Sequence, residues 1–285
     1  MPENIPKRII QAWGTLSQTS PACADKGADL PLFAKASAAS LRSINPDFEY
    51  LFFDDSRIEQ FIDDEFPQYR SVFDAFSAPI QRYDFFRYLA VYRFGGFYFD
   101  TDVFLALGLG NLLEFGCVFP FEHLTVHSFL CDQYGMDWEI GNYAFGARAG
   151  HPFLKAVIAN VVRAQQNPDW PKPMLKSIPR MFRSEYFVLV TTGPTLVSRT
   201  LAEYPRACEQ VKVLFPEDVR DQNCWFKFGD YGVHLQLSSW RKPAPLVRRV
   251  LHRRWLWARR KMLLPENLKR GATRSLDFKN STLRQ

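Results

Sequence analysis

The segment FYFDTD, residues 97–102, ends an aromatic run with two carboxylates, Asp100 and Asp102. An Asp-x-Asp tripeptide at the end of a strand projects both carboxylates into one space beyond the sheet. Oxygen ligands of this kind suit a hard divalent cation, Mg²⁺ or Mn²⁺, that keeps open positions for phosphate oxygens. Such a cation neutralises the charge that develops when a diphosphate leaves. The alternative interpretation is structural, with both residues capping the segment that follows the turn.

A second charged pair precedes this segment. Asp84 and Arg87 are three residues apart, which places them on one face of a helix predicted over residues 79–94. That helix starts with a proline and is followed by Gly95 and Gly96, the usual signals of a helix start and a helix end. The pair could belong to the same site, or it could be a surface ion pair of little energetic value.

The elements that position these residues follow an alternating order. Strands and helices alternate over the first hundred residues, which favours an α/β fold with a mostly parallel central sheet flanked by helices. Acidic residues at the carboxyl ends of such strands lie where open α/β sheets bind ligands. Farther along, the sequence predicts a helix over 151–165 and strands at 116–122, 186–194, 211–215 and 232–240.

Composition narrows the class of protein. The chain has 285 residues, of which 47% are hydrophobic, as is typical of a globular protein. Its five cysteines form no CxxC pair, and an odd number of cysteines without a recognisable signal peptide fits a reducing cytosol better than a disulfide framework. No apolar run approaches the roughly 20 residues of a membrane-spanning helix. We therefore expect a cytoplasmic protein.

The basic surplus is local. Nine Arg or Lys residues and no Asp or Glu lie in residues 241–264, although the whole chain carries a net charge of only +6, so the remainder is mildly acidic. A protein that bound nucleic acid over its whole surface would be basic throughout. We therefore expect no nucleic-acid partner.

The basic segment has the pattern of an amphipathic helix over residues 245–265. Its apolar residues recur at three- and four-residue steps: Val247, Leu251, Trp255, Ala258 and Met262. With arginines around the rest of the circumference, such a helix suits the surface of an anionic membrane, and we expect peripheral attachment to the inner membrane face. The alternative is an ordinary amphipathic helix packed on the domain. We expect one domain over residues 1–240, and then, over 241–285, this helix and a polar tail after Leu264.

Five stretches resemble glycosyltransferase family 32, the Asp-x-Asp sugar transferases. They are IPKRIIQAW, RYDFFRYLAVYRFGGFYFDTDV, GNYAFGARAGHPFL, TTGP and HLQLSSW, in that order along residues 5–240. The family includes yeast Golgi mannosyltransferases and bacterial capsule-synthesis transferases, and is more distantly similar to the clostridial glucosylating toxins. The resemblance implies a GT-A fold, a nucleotide-sugar donor, bound Mn²⁺ or Mg²⁺, and transfer with retention at the anomeric carbon.

The resemblance also implies roles for individual residues. Trp13 would stack on the nucleobase, Asp84 would hold the ribose or donor sugar, and Arg87 would hold a donor hydroxyl. Asp100 would meet the ribose and a metal-bound water, while Asp102 would ligate the metal directly.

Later stretches of the chain supply further residues by the same resemblance. Asn142 would line the sugar pocket, and Trp240 would donate its indole N–H to the diphosphate. Either His234 or Ser238 would complete the metal shell. The toxins have a glutamate near the position of Leu235, which cannot bind a metal, and the neighbouring His234 is its natural substitute.

Retention requires either a carboxylate nucleophile or attack on the same face as the departing phosphate. No carboxylate has a strong claim to be the nucleophile, so the sequence favours front-face attack, with the leaving diphosphate accepting the proton of the acceptor. Asp132, Asp137 and Glu139 are the nearest alternatives as base or nucleophile.

Three classes of function compete. The first is a glycosyltransferase that uses a UDP-hexose, with galactose slightly ahead, and a surface glycan or lipid-linked saccharide as acceptor; GDP-mannose is the alternative donor. The second is an aspartyl-phosphate hydrolase, which wants a small β-branched residue where Phe104 stands. The third is a non-catalytic membrane-surface protein with a degenerate sugar-nucleotide fold. The joint presence of Asp84, Arg87, Asp100, Asp102 and Trp240 argues against the third class, and the first class is favoured.

Overall fold

The chain folds around a seven-stranded β-sheet in a computed structural model that describes residues 4–14, 30–205, 207–237 and 245–281. The strands are β1 (Arg8–Ala12), β2 (Glu49–Phe53), β3 (Gly96–Phe99), β4 (Val103–Leu105), β5 (Cys117–Leu124), β6 (Trp138–Ile140), β7 (Ala144–Ala147), β8 (Lys212–Leu214), β9 (Lys227–Phe228) and β10 (Gly232–His234). The helices are α1 (Leu32–Ile44), α2 (Asp55–Glu65), α3 (Arg70–Asp74), α4 (Pro79–Phe94), α5 (Ser128–Tyr134), α6 (Pro152–Gln166), α7 (Lys172–Leu175), α8 (Arg183–Thr191), α9 (Pro194–Glu203), α10 (Ala207–Gln210) and α11 (Leu246–Ser281).

The central sheet has the order β2-β1-β3-β7-β5-β6, and β8 also pairs with β5. Strands β1, β2 and β3 pair in parallel, as do β5 and β8, whereas β7 and β6 run against their neighbours. Five of the seven strands therefore share one direction. The predicted α/β fold, with a mostly parallel central sheet flanked by helices, is confirmed. The carboxyl ends of β1, β2 and β3 meet at one edge, where Trp13, Asp54 and Asp100 follow them.

A small antiparallel sheet of order β4-β10-β9 lies beside that edge. In its register His234 is paired with Val103, the residue after Asp102. The small sheet thus brings a late segment of the chain next to the Asp-x-Asp turn.

The junction between α4 and β3 requires its two glycines. Gly95 and Gly96 have φ angles of 67° and 105°, in the left-handed region that side chains disfavour. A Cβ on Gly95 would lie 2.7 Å from the Pro6 ring, and one on Gly96 would lie 2.6 Å from the carbonyl oxygen of Arg8. The glycine pair therefore lets the chain leave the helix and pair at once with β1.

The predicted strand at 186–194 is wrong, because these residues form the end of α8 and the start of α9. The β-branched run that suggested a strand instead buries Val188 and Val190 on a helix, and α8 packs against α4, α6 and α9. Tertiary burial overrides local β-propensity at this point.

Helix α11 extends past Leu264 to Ser281, where the sequence predicted a polar tail. Within this extension Phe278 is buried, and its ring lies 5.4 Å from that of Trp138. The predicted division of the chain at residue 240 stays a prediction. No helix in the described ranges is long and apolar enough to cross a membrane.

Candidate functional site

The two carboxylates of the Asp-x-Asp turn lie at the carboxyl end of β3. The backbone N–H of Asp100 donates to the carbonyl oxygen of Tyr143 at 2.7 Å, which ties the turn to the segment before β7. Asp102 is bound from the other side, because its Oδ2 accepts the N–H of Leu237 at 2.9 Å and its carbonyl oxygen accepts that of Leu235 at 3.0 Å. The turn is therefore held by two separate parts of the chain.

An imidazole completes a cluster of ligand atoms. His234 Nε2 lies 3.2 Å from Asp102 Oδ1, and one ligand atom from each of Asp100, Asp102 and His234 lies within 4.8 Å of the other two. Two carboxylate oxygens and an imidazole nitrogen at this spacing fit a divalent cation. The structure thus brings His234 to the predicted metal position, while Leu235, its neighbour, is about half exposed.

Ser238 and Trp240, the two other predicted residues of this segment, lie outside the described residues.

The environments of the two carboxylates differ. Burial raises the pKa of Asp100 above its ordinary value, Arg87 opposes this effect, and the neighbouring Asp102 reinforces it. Burial also acts to raise the pKa of Asp102, but the hydrogen bond and charge of His234 and the N–H of Leu237 hold it below its ordinary value. Asp102 is therefore the more firmly ionised member of the pair.

Asp84 and Arg87 are buried, so the alternative of a surface ion pair does not hold. Nη2 of Arg87 lies 3.2 Å from Oδ1 of Asp84 and 3.2 Å from Oδ1 of Asp100. The guanidinium also lies 4.8 Å from the ring centroid of Tyr98, whose hydroxyl donates to Asp100 at 3.1 Å. Arg87 therefore connects helix α4 to the Asp-x-Asp turn, and its charge lies between the buried Asp84 and the less buried Asp100.

Asn142 belongs to this network. Its Nδ2 donates to Asp84 Oδ1 at 3.0 Å and to the Tyr88 hydroxyl at 2.8 Å, and its carbonyl oxygen accepts from Arg87 Nη1 at 2.8 Å. The predicted contact of Asn142 with a sugar stays a prediction.

Three further residues belong to this network and were not predicted as site residues: Tyr88, Tyr98 and Thr192. Thr192 Oγ1 donates to Asp84 Oδ2 at 2.8 Å, and its carbonyl oxygen accepts the Tyr88 hydroxyl at 2.7 Å. Thr192 lies in the TTGP stretch, one of the five that resemble the sugar transferases. The sequence therefore contained a signal that could have identified Thr192. Burial raises the pKa of Asp84, although Arg87, Thr192 and Asn142 all favour its ionised form.

Trp13 follows β1 at the same edge of the sheet. Its N–H donates to the carbonyl oxygen of Phe53 at 3.0 Å, and its half-buried ring lies 5.7 Å from the ring of Phe33 in an edge-to-face arrangement. Two residues earlier, Gln11 Nε2 donates to the carbonyl oxygen of Asp100 at 3.3 Å. The end of β1 is therefore in direct contact with the turn. The stacking of Trp13 on a nucleobase stays a prediction.

The alternative catalytic carboxylates lie in different environments. Asp132 is exposed on α5, whereas Asp137 and Glu139 are buried. Glu139 accepts hydrogen bonds from Thr125 at 2.5 Å and Thr195 at 2.7 Å. Burial acts to raise its pKa, but nearby histidines and these hydroxyls hold it below its ordinary value. Glu139 is thus already engaged inside the fold, which suits a structural carboxylate better than a nucleophile.

The fold and the site define an α/β protein with an Asp-x-Asp turn and an added imidazole at the carboxyl end of its parallel strands. Residues 34–117 match the family described as "Glycosyltransferase sugar-binding region containing DXD motif". This match confirms the resemblance to the Asp-x-Asp sugar transferases that the sequence motifs indicated.

Proteins similar to this chain in sequence include two that are named as mannosyltransferases. Inositol phosphoceramide mannosyltransferase 2 of Schizosaccharomyces pombe is 26% identical over 243 residues, which cover 83% of this chain and 58% of that protein. Inositol phosphoceramide mannosyltransferase 3 of the same organism is 29% identical over 59% of this chain and 40% of its own length. The chain thus spans about half the length of these curated relatives. Among solved structures, the PaToxG glycosyltransferase has a TM-score of 0.48 at 18% identity, over 71% of this chain and 70% of its own.

Proposed function

We propose that this chain is a metal-dependent glycosyltransferase that moves a hexose from a nucleotide-sugar donor to an acceptor hydroxyl with retention. The observation that carries the proposal is the convergence of Asp100, Asp102 and His234 within 4.8 Å at the end of β3. The match of residues 34–117 to the sugar-binding region of DXD glycosyltransferases supports the same reading.

Asp102, Asp100 and His234 are the residues that would hold the cation. Bound Mn²⁺ or Mg²⁺ supplies positive charge next to the leaving diphosphate. The imidazole favours Mn²⁺, because Mg²⁺ prefers a shell made of oxygen ligands. Asp102 would bind the cation directly, whereas Asp100 is shared with Arg87.

Side chains of the protein would orient the donor. Arg87 and Asp84 would bind hydroxyls of the donor sugar or ribose, and their contacts to Thr192 and Asn142 fix them before a donor arrives. In front-face transfer the leaving diphosphate accepts the acceptor's proton while the new glycosidic bond forms on the same face. This mechanism needs no carboxylate nucleophile, which agrees with the engagement of Glu139 by two threonines.

Two donors are proposed. The first is a UDP-hexose, with galactose slightly ahead. The mannosyltransferase names of the relatives favour GDP-mannose as the alternative. Those names also include inositol phosphoceramide, which supports a lipid-linked acceptor beside a surface glycan.

We also propose that α11 attaches the protein to the inner, anionic face of a membrane. One side of this helix packs against the domain. The Trp255 ring lies 5.8 Å from Phe182 and 5.9 Å from Tyr186, and Arg259 Nε donates to the carbonyl oxygen of Val126 at 3.2 Å. The sequence predicted that Trp255 belongs to the membrane-facing stripe. In the structure Trp255 instead contacts the domain.

The outward side of α11 combines apolar and cationic residues at helical spacing. They are Leu246, Val250, Arg253, Arg254 and Trp257, and all five are exposed. Trp257 is 66% exposed and Leu246 72% exposed. A large indole among arginines, with no acidic residue nearby in the sequence, matches an interfacial helix on anionic lipid.

Thermal unfolding with a panel of UDP-, GDP- and CMP-sugars, with and without Mn²⁺, tests the catalytic proposal. A donor at about 100 times its dissociation constant stabilises the folded state by about 2.7 kcal/mol. We expect a Mn²⁺-dependent rise in Tm with one nucleotide class, lost in Asp102→Ala and kept in Asp74→Ala, which alters an exposed carboxylate on α3. Transfer to lipid and glycan acceptors then identifies the activity. No shift with any nucleotide would overturn the donor site and favour the non-catalytic alternative.

A further inference from the structure

His234 lacks the contact that usually orients a metal-binding imidazole. Such a histidine ordinarily donates its second ring nitrogen to a fixed acceptor, which sets the tautomer and the ring orientation. In His234, Nε2 faces Asp102, while Nδ1 is buried and has no hydrogen-bond partner among the described residues. The orientation of the ring must therefore come from another contact.

That contact is a stacked tyrosine. The ring centroids of Tyr143 and His234 are 4.2 Å apart, and the ring planes differ by 20°. Stacked aromatic rings attract each other, so this contact favours one orientation of the imidazole ring. Tyr143 is only 2% exposed, so its ring presents a rigid surface to the imidazole.

Tyr143 is itself held on three sides. Its hydroxyl donates to the carbonyl oxygen of Lys227 at 3.0 Å, and its own carbonyl oxygen accepts the N–H of Asp100 at 2.7 Å. On the third side Gly141 leaves room for the ring, because a Cβ there would lie 2.3 Å from Tyr143 Cε1. One residue thus touches the backbone of Asp100, the backbone of β9 and the side chain of His234.

We propose that Tyr143 is a positioning residue that holds His234 in the orientation needed to bind the divalent cation together with Asp100 and Asp102. The proposal rests on the metal site of the proposed function. Tyr143 touches both sources of ligands, because its carbonyl oxygen accepts the N–H of Asp100 and its ring stacks on His234 of β10. It substitutes a packing contact for the hydrogen bond that Nδ1 lacks.

The test is the affinity for Mn²⁺ alone, measured by the electron paramagnetic resonance signal of free Mn²⁺ without nucleotide. Losing a contact that orients a metal ligand typically weakens affinity by about 10–100-fold. We expect a loss of that size in Tyr143→Leu, and an affinity close to wild type in Tyr143→Phe, which keeps the stack. Phe119→Leu is the matched control, since it removes a buried aromatic ring that stacks on Phe145 at 4.9 Å. It should bind Mn²⁺ like the wild type.

A second variant tests the same role if Tyr143→Leu fails to fold. Gly141→Ala leaves Tyr143 present but pushes its ring, so it should also weaken Mn²⁺ binding. Wild-type affinity in both Tyr143→Leu and Gly141→Ala, with weakened affinity in His234→Ala, would overturn the positioning role alone. If Asp102→Ala and His234→Ala also bound Mn²⁺ like the wild type, the metal site itself would be wrong.

Discussion

Nη2 of Arg87 lies 3.2 Å from Oδ1 of Asp100, and this contact joins helix α4 to the turn after strand β3. The same nitrogen lies 3.2 Å from Asp84, and the side chains of Arg87 and Asp84 are almost fully buried. Removing one member of a buried ion pair leaves an uncompensated charge and typically costs about 3–5 kcal/mol. We expect Arg87→Met to lower the free energy of unfolding by about that amount in urea denaturation.

A matched exposed pair provides the control. Arg93 pairs with Glu65 at 2.5 Å, but half of the Arg93 side chain is exposed. An exposed ion pair contributes at most about 1 kcal/mol, so Arg93→Met should change stability far less. Equal effects of the two substitutions would show that the Arg87 network does not stabilise the fold.

Thr192 offers a sharper change within the same network. Its hydroxyl donates to the buried Asp84 carboxylate, and a hydrogen bond to a charged group contributes about 1.5–3 kcal/mol. Thr192→Val keeps the shape and removes the donor, so we expect a loss of that size in the free energy of unfolding. Thr192→Ser keeps the hydroxyl and should lose much less. If the valine and serine variants had the same free energy of unfolding, the hydrogen bond to Asp84 would not contribute to stability.

His151 predicts a pH dependence of stability. Burial, with Arg148 as a second cause, lowers the pKa of His151 from 6.5 to about 4. The unfolded chain therefore binds a proton between these values that the folded protein does not. Stability is retained above pH 6.5 and is lost as pH falls towards 4, by about 1.4 kcal/mol per pH unit at most.

His151→Asn isolates this effect. His151 Nδ1 accepts the N–H of Phe153 at 3.2 Å at the start of α6, and asparagine is a good residue at this position that does not titrate. The slope of unfolding free energy between pH 6.5 and 4 should therefore be shallower in the variant. An unchanged slope would assign the acid sensitivity to other groups.

The outward side of α11 predicts membrane binding that depends on lipid charge. Each Arg near an anionic surface contributes about 1 kcal/mol, so replacing Arg253 and Arg254 by glutamine should weaken partitioning by about 30-fold. Sedimentation with phosphatidylserine vesicles measures this, and added salt should weaken binding of the wild type. Trp257→Ser should also reduce binding, whereas Leu107→Ser, at an exposed apolar residue of the domain, should not. Equal binding to neutral vesicles would contradict the electrostatic part of the proposal.

Local patterns in the sequence predict the centre of the fold well. Helix α4 begins at Pro79 and ends before Gly95, as the proline and glycine signals indicate, because both act through the backbone of neighbouring residues. The position of the Asp-x-Asp turn directly after β3 was also predictable from the residues next to it. These features need no knowledge of distant contacts.

Features that depend on distant contacts were not predictable in the same way. The stack of Tyr143 on His234 and the bond of Thr192 to Asp84 join residues far apart in sequence, and only the sheet topology brings them together. The helix α8 was missed because burial against other helices outweighs a β-branched run. On α11 the hydrophobic spacing predicted a helix, but which side contacts the domain depends on Phe182 and Tyr186.

The origin of His234 in strand β10 has a consequence for the growing chain. Asp100 and Asp102 leave the ribosome well before His234 and Leu237 are synthesised. Until then the turn after β3 holds two neighbouring carboxylates without the imidazole and without the N–H that stabilises Asp102. If the proposed metal site is correct, a cation that arrived early would meet two ligands instead of three. Its full affinity would then be acquired only after β10 has been synthesised and paired with β4.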